Sequence, residues 1–83
     1  MKFIIYVPED YIRLLAKDFM PRLKDNSLEA VIDVMSKRLL GKDVCSNRGV
    51  TRQSLDKNIK AVEEMVYKIS RYVEEEYYEY LGN

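Results

Sequence analysis

Past the middle of the chain, apolar residues recur at Leu55, Ile59, Val62, Val66, Ile69 and Val73, alternately four and three positions apart. That is a 3.5-residue period, which sets one face of a helix against another helix in left-handed pairing. No glycine or proline falls between Thr51 and Gly82, so the pattern predicts one uninterrupted helix of about 30 residues, with 61–80 as its dimerisation segment. Two partners fit the seam. One is the equivalent helix of a second copy, met through Val62, Val66, Ile69 and Val73; the other is the earlier Pro8 to Met20 helix of the same chain. Glu74, Glu75 and Glu76 lie near the helix C-terminus, where negative charge opposes the macrodipole, so fraying is expected after Tyr78. Tyr77, Tyr78 and Tyr80 either flank the packed seam or bind a partner.

Earlier in the chain the pattern changes. Phe3 to Val7 is a continuous β-branched and aromatic run closed by Pro8, which reads as a short strand. Nothing else resembles a second strand, so this segment either docks as an extended arm or pairs with its counterpart in another subunit. Pro8, Glu9 and Asp10 suit the first turn of a helix whose apolar face carries Tyr11, Leu14, Leu15 and Phe19 and which Pro21 ends near Met20. Asp25-Asn26-Ser27 then offers a cap for a second helix with the stripe Leu28, Val31, Ile32, Met35 and Leu39, terminated by Gly41.

Between these helices and the long seam lies KDVCSNRGVTRQSLDKNI, Lys42 to Ile59. A small residue at Cys45, glycine at Gly49, Val50 directly after it, then Leu55 and Ile59 at helical spacing meet the steric demands of two helices crossing through a tight turn. The glycine supplies a backbone conformation that a Cβ would strain. Val44, Val50, Leu55 and Ile59 would pin the second helix onto the first. The 42–60 segment therefore reads as a helix-turn-helix, although an ordinary helical hairpin satisfies the same packing pattern.

Charge separates the two readings. Lys and Arg balance Asp and Glu at fourteen each, but 1–36 carries five basic and six acidic residues, 37–60 seven and two, and 61–83 two and six. The positive block coincides with the motif and would supply the potential that phosphate binding needs. Thr51, Arg52, Gln53, Ser54 and Lys57, at the start of the second motif helix, are types that hydrogen-bond base edges and phosphates, and none of the five is a carboxylate.

The rest of the composition excludes other chemistries. Histidine is absent and Cys45 stands alone, so neither a structural zinc site nor a Ser-His or Cys-His pair can be built. No glycine-rich phosphate loop occurs, and Glu74 to Glu76 are consecutive rather than spaced to converge on a cation. An enzyme is not expected, and neither is a cofactor, a metal or a small-molecule ligand. FIIYV is too short for a signal-peptide core and no apolar run approaches a membrane span, which together with the single cysteine suits a cytoplasmic protein.

Gly49-Val50-Thr51-Arg52-Gln53-Ser54-Leu55-Asp56-Lys57-Asn58-Ile59 resembles the recognition segment of phage Cro-type repressors. With Val44-Cys45 and the preceding helix included, the stretch from Leu28 to Val62 also resembles KorA/TrfB plasmid repressors and PapB-type fimbrial regulators. The resemblance implies a sequence-specific bacterial or plasmid transcription regulator working as a dimer or higher oligomer.

The expectation is a single mainly α domain over 1–83, with a three-helix helix-turn-helix core, a long C-terminal helix and a short N-terminal strand or arm. Its partners would be double-stranded DNA and a second copy. Arg52 would read guanine and Gln53 adenine, Thr51 would cap the helix and contact phosphate, and Ser54 and Lys57 would meet phosphate or flanking bases. Lys42, Arg48 and Lys60 would position the DNA backbone. The rival from another class is a helical adaptor or inhibitor that grips a protein with its long helix and acidic tail.

Overall fold

The computed structural model describes the backbone of residues 4–82 and the side chains of residues 4–71, so Phe3, Val73 and the glutamates and tyrosines of the tail lie outside the described side chains. Among the described residues the fold is mainly helical and contains no strand. Four helices follow one another: α1 (Glu9–Phe19), α2 (Asp25–Met35), α3 (Gly41–Arg48) and α4 (Arg52–Gly82). Among the described residues, no helix is long and apolar enough to cross a membrane.

Helix α2 is the hub. Every residue from Ala30 to Met35 is buried, so the C-terminal half of this helix is enclosed on all sides rather than along one stripe, as an apolar helix packed by several neighbours must be. It meets α1, α3 and α4. Ile12 and Leu15 from α1, Val44 from α3, and Leu55, Ile59 and Val62 from α4 close the core around it. Arg13 also joins α1 to α2, bonding Glu29 at 2.7 Å and Glu9 at 3.0 Å. Those two carboxylates, Glu29 first, raise its pKa above the ordinary arginine value.

The buried face of α1 is Ile12, Leu15 and Ala16, not the expected Tyr11, Leu14, Leu15 and Phe19. Leu14 and Phe19 are exposed, Phe19 by 63%. The apolar stripe of α1 is wider than its neighbours cover, and position in the fold selects which part goes inside.

Helix α2 stops at Met35, short of the predicted end at Gly41. The N–H groups of Ser36 and Lys37 both donate to the Ile32 carbonyl, at 2.8 and 3.1 Å, and that of Leu39 reaches back to Asp33 O at 2.9 Å. Arg38 between them adopts φ 62°, a left-handed conformation uncommon outside glycine. Gly41 instead opens α3, and Leu39 is exposed rather than part of the stripe.

The same Arg38 holds the N-terminal segment, its Nη1 donating to Ile4 O at 2.8 Å. Val7 N–H donates to Met35 O at 3.2 Å, and the Val7 side chain is buried. Residues 4–8 thus dock as an arm on the end of α2 and pair with no strand among the described residues.

The seam of α4 divides. Leu55, Ile59 and Val62 enter the core of the chain itself, and Val62 is only 1% exposed. Its assignment to a contact between subunits is corrected accordingly, because a buried side chain cannot meet a second copy. Met65, Val66 and Ile69 are partly buried against the same core. The helix continues to Gly82, past the expected fraying point at Tyr78. With no glycine or proline before Gly82, a dipole penalty of roughly 0.3–1 kcal/mol per charge does not terminate it.

Candidate nucleic-acid interface

Helices α3 and α4 are joined by Gly49, Val50 and Thr51 alone. Gly49 ends α3 at φ 66° and ψ 35°. Its N–H and that of Val50 both donate to Cys45 O, at 3.0 and 3.2 Å. A Cβ at Gly49 would meet nothing within 4 Å, so glycine is required by the left-handed backbone and not by crowding. Val44 is the fully buried anchor of α3 and Cys45 is half-buried beside it. Thr51 Oγ1 accepts the Ser54 N–H at 3.1 Å, which caps α4.

The turn is held against α2 by polar contacts that the apolar pattern did not reveal. Asp33, 4% exposed, accepts Arg48 Nε at 2.7 Å and Nη2 at 3.2 Å. Lys37 Nζ lies 3.7 Å from the same carboxylate. The bonded Asp33 raises the Arg48 pKa above its ordinary value, with desolvation opposing. Asn26 accepts the Ser27 N–H through Oδ1 at 3.0 Å in the first turn of α2 and donates its Nδ2 to Arg48 O at 3.3 Å. Arg48 is therefore engaged as a structural clamp. A guanidinium whose Nε and Nη2 hold a buried carboxylate is not released cheaply, so a phosphate contact by Arg48 would have to be made from its place on Asp33.

On the first turns of α4, Leu55, Ile59 and Val62 point inward while Arg52, Gln53, Asp56, Lys57 and Lys60 are exposed. Gln53, Lys57 and Lys60 lie opposite the buried stripe by helical spacing. Thr51 and Lys42 are also exposed, and Ser54 is half-buried. Glu63 and Glu64 follow directly and separate the cations of the first turns of α4 from Lys68 and Arg71 further along it.

Arg52 does not extend freely into solvent. Its Nε donates to Asp56 Oδ1 at 3.2 Å, and its guanidinium lies over Gly41 at the start of α3. Asp56 is thus a carboxylate on the very surface that the sequence reading filled with cations and amides. The i, i+4 spacing of Arg52 and Asp56 was a visible signal for the pair. Nothing in the spacing of Asp33 and Arg48 announced theirs, apart from a lone acid within an otherwise apolar run.

Comparison of the chain with protein-family models, with curated proteins and with solved structures returned no match.

Proposed function

We propose that the protein is a sequence-specific DNA-binding transcription regulator, acting as a homodimer, in which α3, the Gly49 turn and α4 form a helix-turn-helix. The observation that carries this reading is the coincidence of charge and exposure. The 37–60 segment holds seven basic residues against two acidic, and Lys42, Gln53, Lys57 and Lys60 stand exposed around a short turn whose other face is bolted to α2. A helix so placed can enter a major groove while its partner helix crosses the backbone. Gln53 suits adenine and Arg52 guanine; Lys42, Lys57 and Lys60 suit phosphate, as does Ser54 at the groove edge. Arg48 supports the turn from behind.

Dimerisation belongs to the same proposal, through Val66, Ile69 and the continuation of α4. Two reading helices about 34–36 Å apart would address successive major grooves. The reading includes a cytoplasmic location, in contact with DNA, and repression by occupying a promoter. Selection from a random duplex library tests it, with enrichment of a palindrome or a spaced repeat expected and an unenriched pool contradicting it.

A second reading, an adaptor that grips another protein, is favoured by one feature. Phe19, Met65, Lys68 and Ile69 line an open depression of about 260 Å³ with an apolar wall. Exposed apolar surface of this kind suits a protein partner, a second copy included.

A further inference from the structure

Arg52 is the first residue of α4, yet its side chain runs back across the start of α3. A Cβ built on Gly41 would lie 2.9 Å from both Arg52 Cζ and Nη1 and 3.2 Å from Nη2. Any side chain at Gly41 would therefore overlap the guanidinium where it now rests. Its Nε bonds the Asp56 carboxylate one turn further along α4. The two side chains are about equally exposed, at 61% and 60%, and an exposed pair of this type is weak. Its significance is geometric. Bidentate recognition of a guanine needs two parallel guanidinium donors directed at the base, and here Nε is engaged by a carboxylate while Gly41 lies against the face of the guanidinium.

We infer that Gly41 and Asp56 form a seat that Arg52 must leave to read a base, which makes Asp56 a residue that sets how strongly Arg52 discriminates between sequences. This inference rests on the DNA-binding reading. On a non-matching duplex Arg52 stays on its seat and its charge offsets that of Asp56. On the matching duplex a bidentate contact replaces the single bond to Asp56, whose freed charge then faces phosphate. The seat therefore opposes binding at the matching site and holds the ratio between matching and non-matching duplexes below what Arg52 alone would give.

Full-length wild type, Asp56→Asn, Gly41→Ala and Arg52→Gln proteins, with the Gly41→Ala/Arg52→Gln double variant, are titrated at one salt concentration. The probes are the selected duplex and a scrambled duplex. Asp56→Asn is expected to tighten binding to the selected duplex more than to the scrambled one and to raise the ratio between the two by about two- to fivefold, the range corresponding to one exposed ion pair. Gly41→Ala displaces only the end of a flexible side chain and favours the helix, so it is expected to raise the ratio in the same sense. In the Arg52→Gln background it is expected to change nothing. A ratio unchanged by both single variants overturns the inference, as does an equal effect of Gly41→Ala with and without Arg52.

The seat itself is tested without DNA. A nuclear Overhauser contact between Gly41 Hα and Arg52 Nε–H is expected in the wild type and is expected to weaken in Asp56→Asn; its absence from the folded wild type overturns the inference. If the contact is present and the wild type binds no duplex at all, the DNA-binding reading fails. The seat would then have nothing to regulate, and the inference falls with it.

Discussion

Arg48 and Asp33 form a two-pronged bridge, Nε to Oδ2 at 2.7 Å and Nη2 to Oδ1 at 3.2 Å, between the last turn of α3 and the buried hub helix α2. The bridge ends immediately before Gly49, where the chain reverses into α4. Asn26 adds a bond to the Arg48 carbonyl. The end of α3 is therefore tied to α2 by a charged clamp as well as by the packing of Val44.

Breaking one side of this clamp is expected to be worse than removing both. Arg48→Met leaves the Asp33 carboxylate enclosed without its main partner, whereas Arg48→Met with Asp33→Leu replaces the pair by apolar packing. Urea denaturation should rank wild type and the double variant above Arg48→Met. Equal midpoints for Arg48→Met and wild type would show that the bridge does not hold α3.

The sign of the pH dependence follows from the raised pKa of Arg48. A cation whose pKa is higher in the folded state contributes its stability fully below its unfolded pKa and loses it as pH rises through the folded one. For arginine that window lies above about pH 12, so the clamp is constant through neutral and mildly alkaline solution. Arg48→Lys moves the window to just above the lysine value of about 10.4. Its stability relative to wild type should fall further between roughly pH 10 and 11.5. A difference that stays flat over that range would contradict the pairing.

The turn makes its own prediction. Gly49→Ala forces a Cβ into a left-handed backbone and should cost about 1–2 kcal/mol, although nothing crowds the site. Thr51→Ala removes the α4 cap and should cost about 1 kcal/mol. Both are read by chemical denaturation, and a neutral Gly49→Ala would mean that φ relaxes.

The divided seam of α4 predicts two different outcomes from one kind of substitution. Val62→Asp places a charge in the core and should unfold the chain, because Val62 is enclosed by its own subunit. Ile69→Asp lies at the partly covered continuation and should leave a folded monomer with weakened DNA affinity. Sedimentation and circular dichroism separate these cases. A wild-type protein that sediments as a monomer at all concentrations would remove the dimer.

The long helix, the Gly49 turn and the Thr51 cap were legible because each depends on local chemistry: an unbroken period, a residue without Cβ, a hydroxyl before a helix. Three features were not. The end of α2 is fixed by a left-handed Arg38, a conformation its residue type does not advertise. The inward face of α1 depends on where α2 and α4 come to lie, so Ile12 and Ala16 displaced Leu14 and Phe19. Arg48 looked like a phosphate contact because a surface cation and a clamp on a buried acid have the same sequence signature until Asp33 is placed fifteen residues away in the chain. The Arg52 and Asp56 pair was within reach, at i, i+4, but the cations beside it drew the interpretation.

The central claim is most directly tested by fluorescence anisotropy of a labelled duplex carrying the selected site, measured from about 50 to 200 mM salt. Exposed Lys42, Lys57 and Lys60 on both subunits of a homodimer predict a steep log–log slope of about −5 to −6, about two units of which are lost in Lys57→Ala. No duplex binding at the lowest salt would contradict the DNA-binding account, as would binding that ignores salt.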